Sequence, residues 1–143
     1  MPKFTLAMLL VTATMALNAG QVQAQVYTWT NLVPAVNGNL STATPTISFR
    51  FSYDFVNGTR PTGYLVQVYD NSDPVNPTSM NYVVTSTTTT SGTAGSYAYV
   101  DVTTTGTMTR ILAGSKPGKI SVKAFGTYPQ ILSSKEWVVS LKP

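Results

Sequence analysis

Asp54, Asp70, Asp73, Asp101 and Glu136 are the only carboxylates in a 143-residue chain that has no histidine and no cysteine. That inventory bounds its chemistry. Thiol nucleophiles, imidazole general bases and the commonest transition-metal ligand are missing. Two carboxylates can hydrolyse a glycosidic bond if they flank it. Here, however, Asp54 and Asp70 fall at strand ends beside turn residues, where Asp caps backbone N–H groups, and Asp101 alternates outward on its strand. The sequence therefore predicts a protein without catalytic activity.

Oxygen donors crowd together once, in Asp70-Asn71-Ser72-Asp73-Pro74-Val75-Asn76. Calcium needs clustered oxygens, yet this run lacks the glycine and the bidentate acid of a calcium loop. An Asx-rich turn is expected, with neither metal nor cofactor. The remaining candidates are aromatic and aliphatic side chains that a sheet would turn toward solvent, and placing them requires the strands.

From Gln25 onward the chain is rich in Thr, Ser, Val, Tyr, Gly, Asn and Pro, and its apolar residues recur every second position, the period of a strand and not of a helix. Seven strands are predicted, over 26–31, 46–55, 63–69, 81–86, 96–103, 119–125 and 135–141. Runs such as Val56-Asn57-Gly58-Thr59-Arg60-Pro61 and Ser115-Lys116-Pro117-Gly118 supply the turn residues between them. With no helix to cover a sheet face, such strands bury their apolar faces against each other. The fold class predicted is all-β, a two-layer antiparallel β-sandwich of about seven strands. The row Ile47, Phe49, Phe51, Tyr53, Phe55 is then the inward face of a central strand. Matching inward rows are Tyr64, Val66, Val68; Ala98, Val100, Val102; Ile120, Val122, Ala124; and Trp137, Val139, Leu141. The low-complexity segment 85–95, dominated by Thr, is expected to end one strand and become a mobile loop before Tyr97.

The same parity exposes Leu65, Tyr69, Phe125 and Val138 on one outer face, the first candidate binding patch. Tyr97 and Tyr99 on the other sheet are a second candidate, with rings suited to stacking on sugars. The N-terminal arm, residues 25–31, places Tyr27 and Trp29 on one face. It is expected to form the first strand, or alternatively to add to the edge of another subunit.

Lys3, the apolar run from Phe4 to about Leu17 and the sequence Val22-Gln23-Ala24 have the form of a secretory signal peptide, cleaved after Ala24. That assigns 1–24 to the leader and 25–143 to a single domain, exported to the periplasm, cell surface or medium, with no transmembrane segment after cleavage. The domain is long enough to bury its own core without disulfides. A formal charge of +4, without any block of like charges, gives no footprint for nucleic acid.

Two stretches resemble a fibronectin type III domain. PTGYLVQVY, residues 61–69, is similar to the third strand of that family, and LAGSKPGKISVKA, residues 112–124, to the approach to its sixth. Phe51 and Ile120 stand where the family usually carries a Trp and a corner Tyr. The resemblance covers about residues 30–142 and implies an immunoglobulin-like module that binds or spaces and does no chemistry. The functional expectation is an exported module binding another protein or a surface polysaccharide. The alternative is a structural subunit of an extracellular or cell-surface assembly, self-associating through strand edges and the N-terminal arm.

Overall fold

The computed structural model describes residues 26–127 and 129–143; the expected leader, 1–24, lies outside them. Nine strands follow in order: β1 (Tyr27–Val33), β2 (Asn39–Ser41), β3 (Thr46–Asp54), β4 (Gly63–Asp70), β5 (Thr78–Ser79), β6 (Tyr82–Ala94), β7 (Tyr97–Met108), β8 (Lys116–Phe125) and β9 (Ile131–Lys142). They form a four-stranded sheet, β1-β3-β7-β6, and a five-stranded sheet, β2-β9-β8-β4-β5. Every pairing is antiparallel except β2 with β9. The fold is the predicted all-β sandwich.

The interior is the set that strand parity selects. Ile47, Phe49 and Phe51 of β3 are buried against Val66 and Val68 of β4, Val100 and Val102 of β7, Ile120 and Val122 of β8, and Trp137, Val139 and Leu141 of β9. Full burial of each such side chain contributes roughly 1.5–3 kcal/mol, so these rows carry most of the stability.

The opening row ends sooner than its alternation predicts: Phe55 is 53 % exposed. The Asp54 carboxylate accepts hydrogen bonds from the backbone N–H of Val56 at 2.7 Å and Asn57 at 3.0 Å, an Asx turn that carries the chain out of the sheet before Phe55 can point inward.

A larger correction concerns the Thr-rich segment. It is strand and not loop: after a bulge at Thr85, β6 continues to Ala94 and pairs residue for residue with β7. Gly95 supplies the positive φ of 62° at the first position of the two-residue turn, as a type II′ hairpin requires. Thr offers little to bury but fits the extended backbone well, and β7 provides the hydrogen-bond ladder. The other elements unforeseen in sequence, β2 and β5, have three and two residues, too short to show a period.

The two long sides of the sandwich are built differently. Along β1 and β9 the seam is closed. Tyr27 stacks on Phe51 at 5.4 Å between centroids, and Trp29 meets Phe51 edge-on at 4.7 Å. The Trp29 indole N–H donates to Ser133 Oγ at 2.9 Å, and that of Trp137 to the Pro34 carbonyl at 2.9 Å. The N-terminal arm is thus the first strand of its own sheet. The opposite seam, between β4 and β6, carries no such closure.

Candidate interaction site

Leu65, Tyr69, Phe125 and Val138 do share one face of one sheet, because β8 pairs with both β4 and β9. They are not contiguous. In register, Lys123 stands beside Leu65, and Lys119 lies between Tyr69 and Val138. The Lys119 ammonium sits 5.3 Å from the Tyr69 ring centroid and 3.5 Å from Glu136 Oε2. Leu65 and Val138 are 41 % and 43 % exposed, and each has a lysine of β8 as its partner in register. This is a mixed, solvated face.

Tyr97 and Tyr99 lie on the outer face of the other sheet, on β7. Tyr99 is already engaged. The Arg50 guanidinium stands 3.7 Å from its ring centroid and also forms a two-pronged ion pair with Asp101, at 2.7 and 2.9 Å. The Arg50 hydrogen bonds hold the Asp101 carboxyl below its ordinary range. Across the ladder, Gly92 lies against the Tyr99 ring, where a Cβ would collide with it. With a cation on it and a glycine beneath its edge, Tyr99 is a packed residue of this face.

The Asx-rich run is a turn, as expected. Asp70 Oδ1 accepts from the Ser72 hydroxyl at 2.5 Å and the Ser72 N–H at 3.0 Å, while Oδ2 accepts from Arg110 at 2.8 Å, with Lys116 at 3.6 Å. These partners, the Ser72 hydroxyl foremost, hold the buried carboxyl at about 2. Asp73 caps Val75 and Asn76. Among the described residues no three acidic side chains converge on a metal position.

The feature that sequence reasoning missed is the open seam. β6 is the edge of its sheet, and its thirteen residues are exposed on both faces apart from Tyr82 and Gly92. Its register with β7 places Thr87, Thr89 and Ser91 opposite Thr104, Val102 and Val100, hence on the inward face. Hydroxyls therefore stand beside the inward Val100 and Val102 of β7, and beside its Thr104. The other sheet does not cover them, because β5 pairs only with Tyr69 and Asp70 of β4. What remains is a cleft of about 480 Å³. Its floor is Tyr64, Val66, Val100 and Val102; its rim is Thr87, Thr89 and Ser91 of β6 and the 60–63 loop.

The cleft is polar in an unbalanced way. Tyr64 packs edge-on against Phe49 at 5.3 Å, and its hydroxyl is shut from solvent with no hydrogen-bond partner among the described residues. Burial pushes that phenol up, and the nearby Tyr53 adds to the effect. Arg60 reaches across the mouth to Ser91 Oγ at 3.5 Å and, among the described residues, makes no ion pair. One signal could have found the seam from sequence. The run from Tyr82 to Ala94 has no charge and no proline, whereas edge strands are ordinarily blunted by one or the other.

Fold and site together define an antiparallel β-sandwich with one sealed seam and one open seam. No family model matches the chain, and no curated protein matches it. Among solved structures it is similar to self-complemented MyfA, the major subunit of Myf fimbriae from Yersinia enterocolitica, in complex with galactose. The two share 12 % identity over 82 % of this chain and 98 % of that one, with a TM-score of 0.32.

Proposed function

We propose that this protein is an exported, non-catalytic structural subunit of an extracellular or cell-surface assembly, joined to its neighbours by strand addition at β6. One observation carries the reading: a thirteen-residue edge strand, uncharged and free of proline, with both faces in solvent. An unpaired edge of that kind is a template for another strand, because each N–H and C=O along it gains a partner when one docks. The other edges are guarded. β2 and β5 are very short, and β1 has seven residues with a register break after Thr30 and Asn31 at a positive φ of 53°, which twists an edge away from pairing, whereas the register break of β6 falls at Thr85 and leaves 86–94 continuous. A leader of secretory form supports the location. The mixed face bearing Leu65 and Tyr69 supports a binding module less well, its apolar residues being spaced by lysines.

Light scattering on the exported protein across a concentration series tests this. Oligomers that grow with concentration and disappear in Thr88→Pro are expected. A protein that stays monomeric at millimolar concentration would remove the reading.

A further inference from the structure

We propose that the outer face of the five-stranded sheet holds a linear acidic polysaccharide along β8, on a row formed by Lys142, Lys119 and Lys123. The inference goes beyond the assembly reading and does not depend on it, because β6 belongs to the other sheet and strand addition there leaves this face open. Charge that looks scattered along the sequence is collected by the fold. β8 and β9 carry five lysines and a single acid, Glu136, whereas the strands of the opposite sheet carry Arg50 against Asp54 and Asp101. Three of those five lysines share the outer face. Lys119 and Lys123 alternate outward on β8 with the buried Ile120, Val122 and Ala124. Lys142 follows the buried Leu141 on β9, and its ammonium donates to Ser115 Oγ at 2.9 Å, which sets it level with the residue before β8. The row therefore has a lysine at every fourth position, roughly 13 Å apart along the strand.

Regular spacing along one strand axis suits a linear polymer of repeated charge better than a compact anion. The cations are short of partners. Among the described residues Lys123 and Lys142 make no ion pair, and Lys119 shares the exposed Glu136 at 3.5 Å. A second copy is a poor complement, since Asp54 and Asp73 cap backbone N–H groups while Asp70 and Asp101 are held by arginines. Groups that hydrogen-bond to a polyol flank the row: Gln67 and the Tyr69 hydroxyl on β4, Ser134 and Ser140 on β9. Leu65 and Val138, each beside a lysine, form no continuous apolar surface, so a sugar polymer fits the face better than a lipid layer. A positive field of this kind concentrates a polyanion at the surface and steers it there.

Biolayer interferometry on the exported protein, with immobilised alginate, a linear polyuronate, and neutral dextran as probes, tests the proposal. Saturable binding to alginate and none to dextran is expected, and the binding should weaken as salt shortens the screening length to about 8 Å at 0.15 M. Lys123→Gln and Lys142→Gln should each weaken alginate binding about fivefold, the effect of one surface lysine against an anionic layer. Glu136→Gln removes the one acid of the row and should strengthen binding several-fold, a gain that misfolding cannot produce. Lys135→Gln removes the same charge from β9 but from the inward side, opposite Val122, and should change affinity little. Equal losses in Lys135→Gln and Lys123→Gln would show net charge at work in place of this row and overturn the proposal, as would unchanged affinity in Glu136→Gln or no alginate binding at low salt. Tighter binding to double-stranded DNA or to phosphatidylglycerol vesicles than to alginate would overturn the polysaccharide as occupant.

Discussion

The two seams of this sandwich enclose the same core with opposite chemistry. On the sealed side, β1 brings Tyr27 and Trp29 down onto Phe51, and both indole N–H groups find oxygen partners across the seam. On the open side, β6 occupies the corresponding edge of the same sheet but points Thr87, Thr89 and Ser91 inward. An amphipathic ring seals a seam by covering apolar surface while its one polar atom is satisfied. A threonine row has the backbone preference of a strand without the reach to close the gap. The contrast shows that strand pairing and sandwich closure are separate requirements, and that β6 meets only the first.

Truncating one residue on each side separates the two seams energetically. Trp137→Ala should lower stability by about 3–5 kcal/mol, the cost of removing a large buried ring and the bond it makes, seen as a large drop in the urea midpoint. Thr89→Ala on the open seam should stay within about 0.5 kcal/mol of the parent. Similar losses at the two sites would mean that the seams are energetically alike.

Asp70, beyond the end of the cleft, gives a pH test. Its folded-state pKa of about 2 lies below the ordinary value near 3.9, so its contribution is complete above about pH 4 and is lost as the pH falls toward 2. Asp70→Asn should cost about 2 kcal/mol at neutral pH through the charge-assisted bonds it removes, and should flatten the melting temperature across that acid range. An unchanged acid slope would show that another carboxylate sets it.

Gly92→Ala probes the outer face of the open edge. A Cβ there displaces the Tyr99 ring and with it the Arg50 stack, for a loss of roughly 1 kcal/mol at most. The smallest expected effect has the opposite sign. Tyr64→Phe deletes a buried hydroxyl that has no partner among the described residues, so stability should hold or rise by up to about 1 kcal/mol. A clear loss would reveal a partner for that hydroxyl.

Where one face is buried and the other wet, the sequence was legible. Ile47, Phe49 and Phe51 alternate with Ser48, Arg50 and Ser52, and the core followed from parity alone. Legibility failed where neither face is apolar. The threonines from 87 to 90 look like a loop because nothing in them needs burying, and only the β7 ladder makes them a strand. Phe55 was misplaced because a local carboxylate cap outranked the alternation. Leu65, Tyr69, Phe125 and Val138 fall on one face, and the lysines between them become visible only with the β4-β8-β9 register. The cleft was invisible because it is a relation among β4, β6 and β7, strands whose edges fail to meet, and periodicity within a strand carries no word of that.

Amide hydrogen exchange along β6, measured by NMR in dilute and in concentrated protein, decides whether β6 is the edge through which copies associate. N–H groups on the free edge of Tyr82–Ala94 should exchange rapidly when dilute and become protected when concentrated, while those of β1 change little. Edge amides of β6 that are equally protected at both concentrations, or equally exposed, would contradict that role.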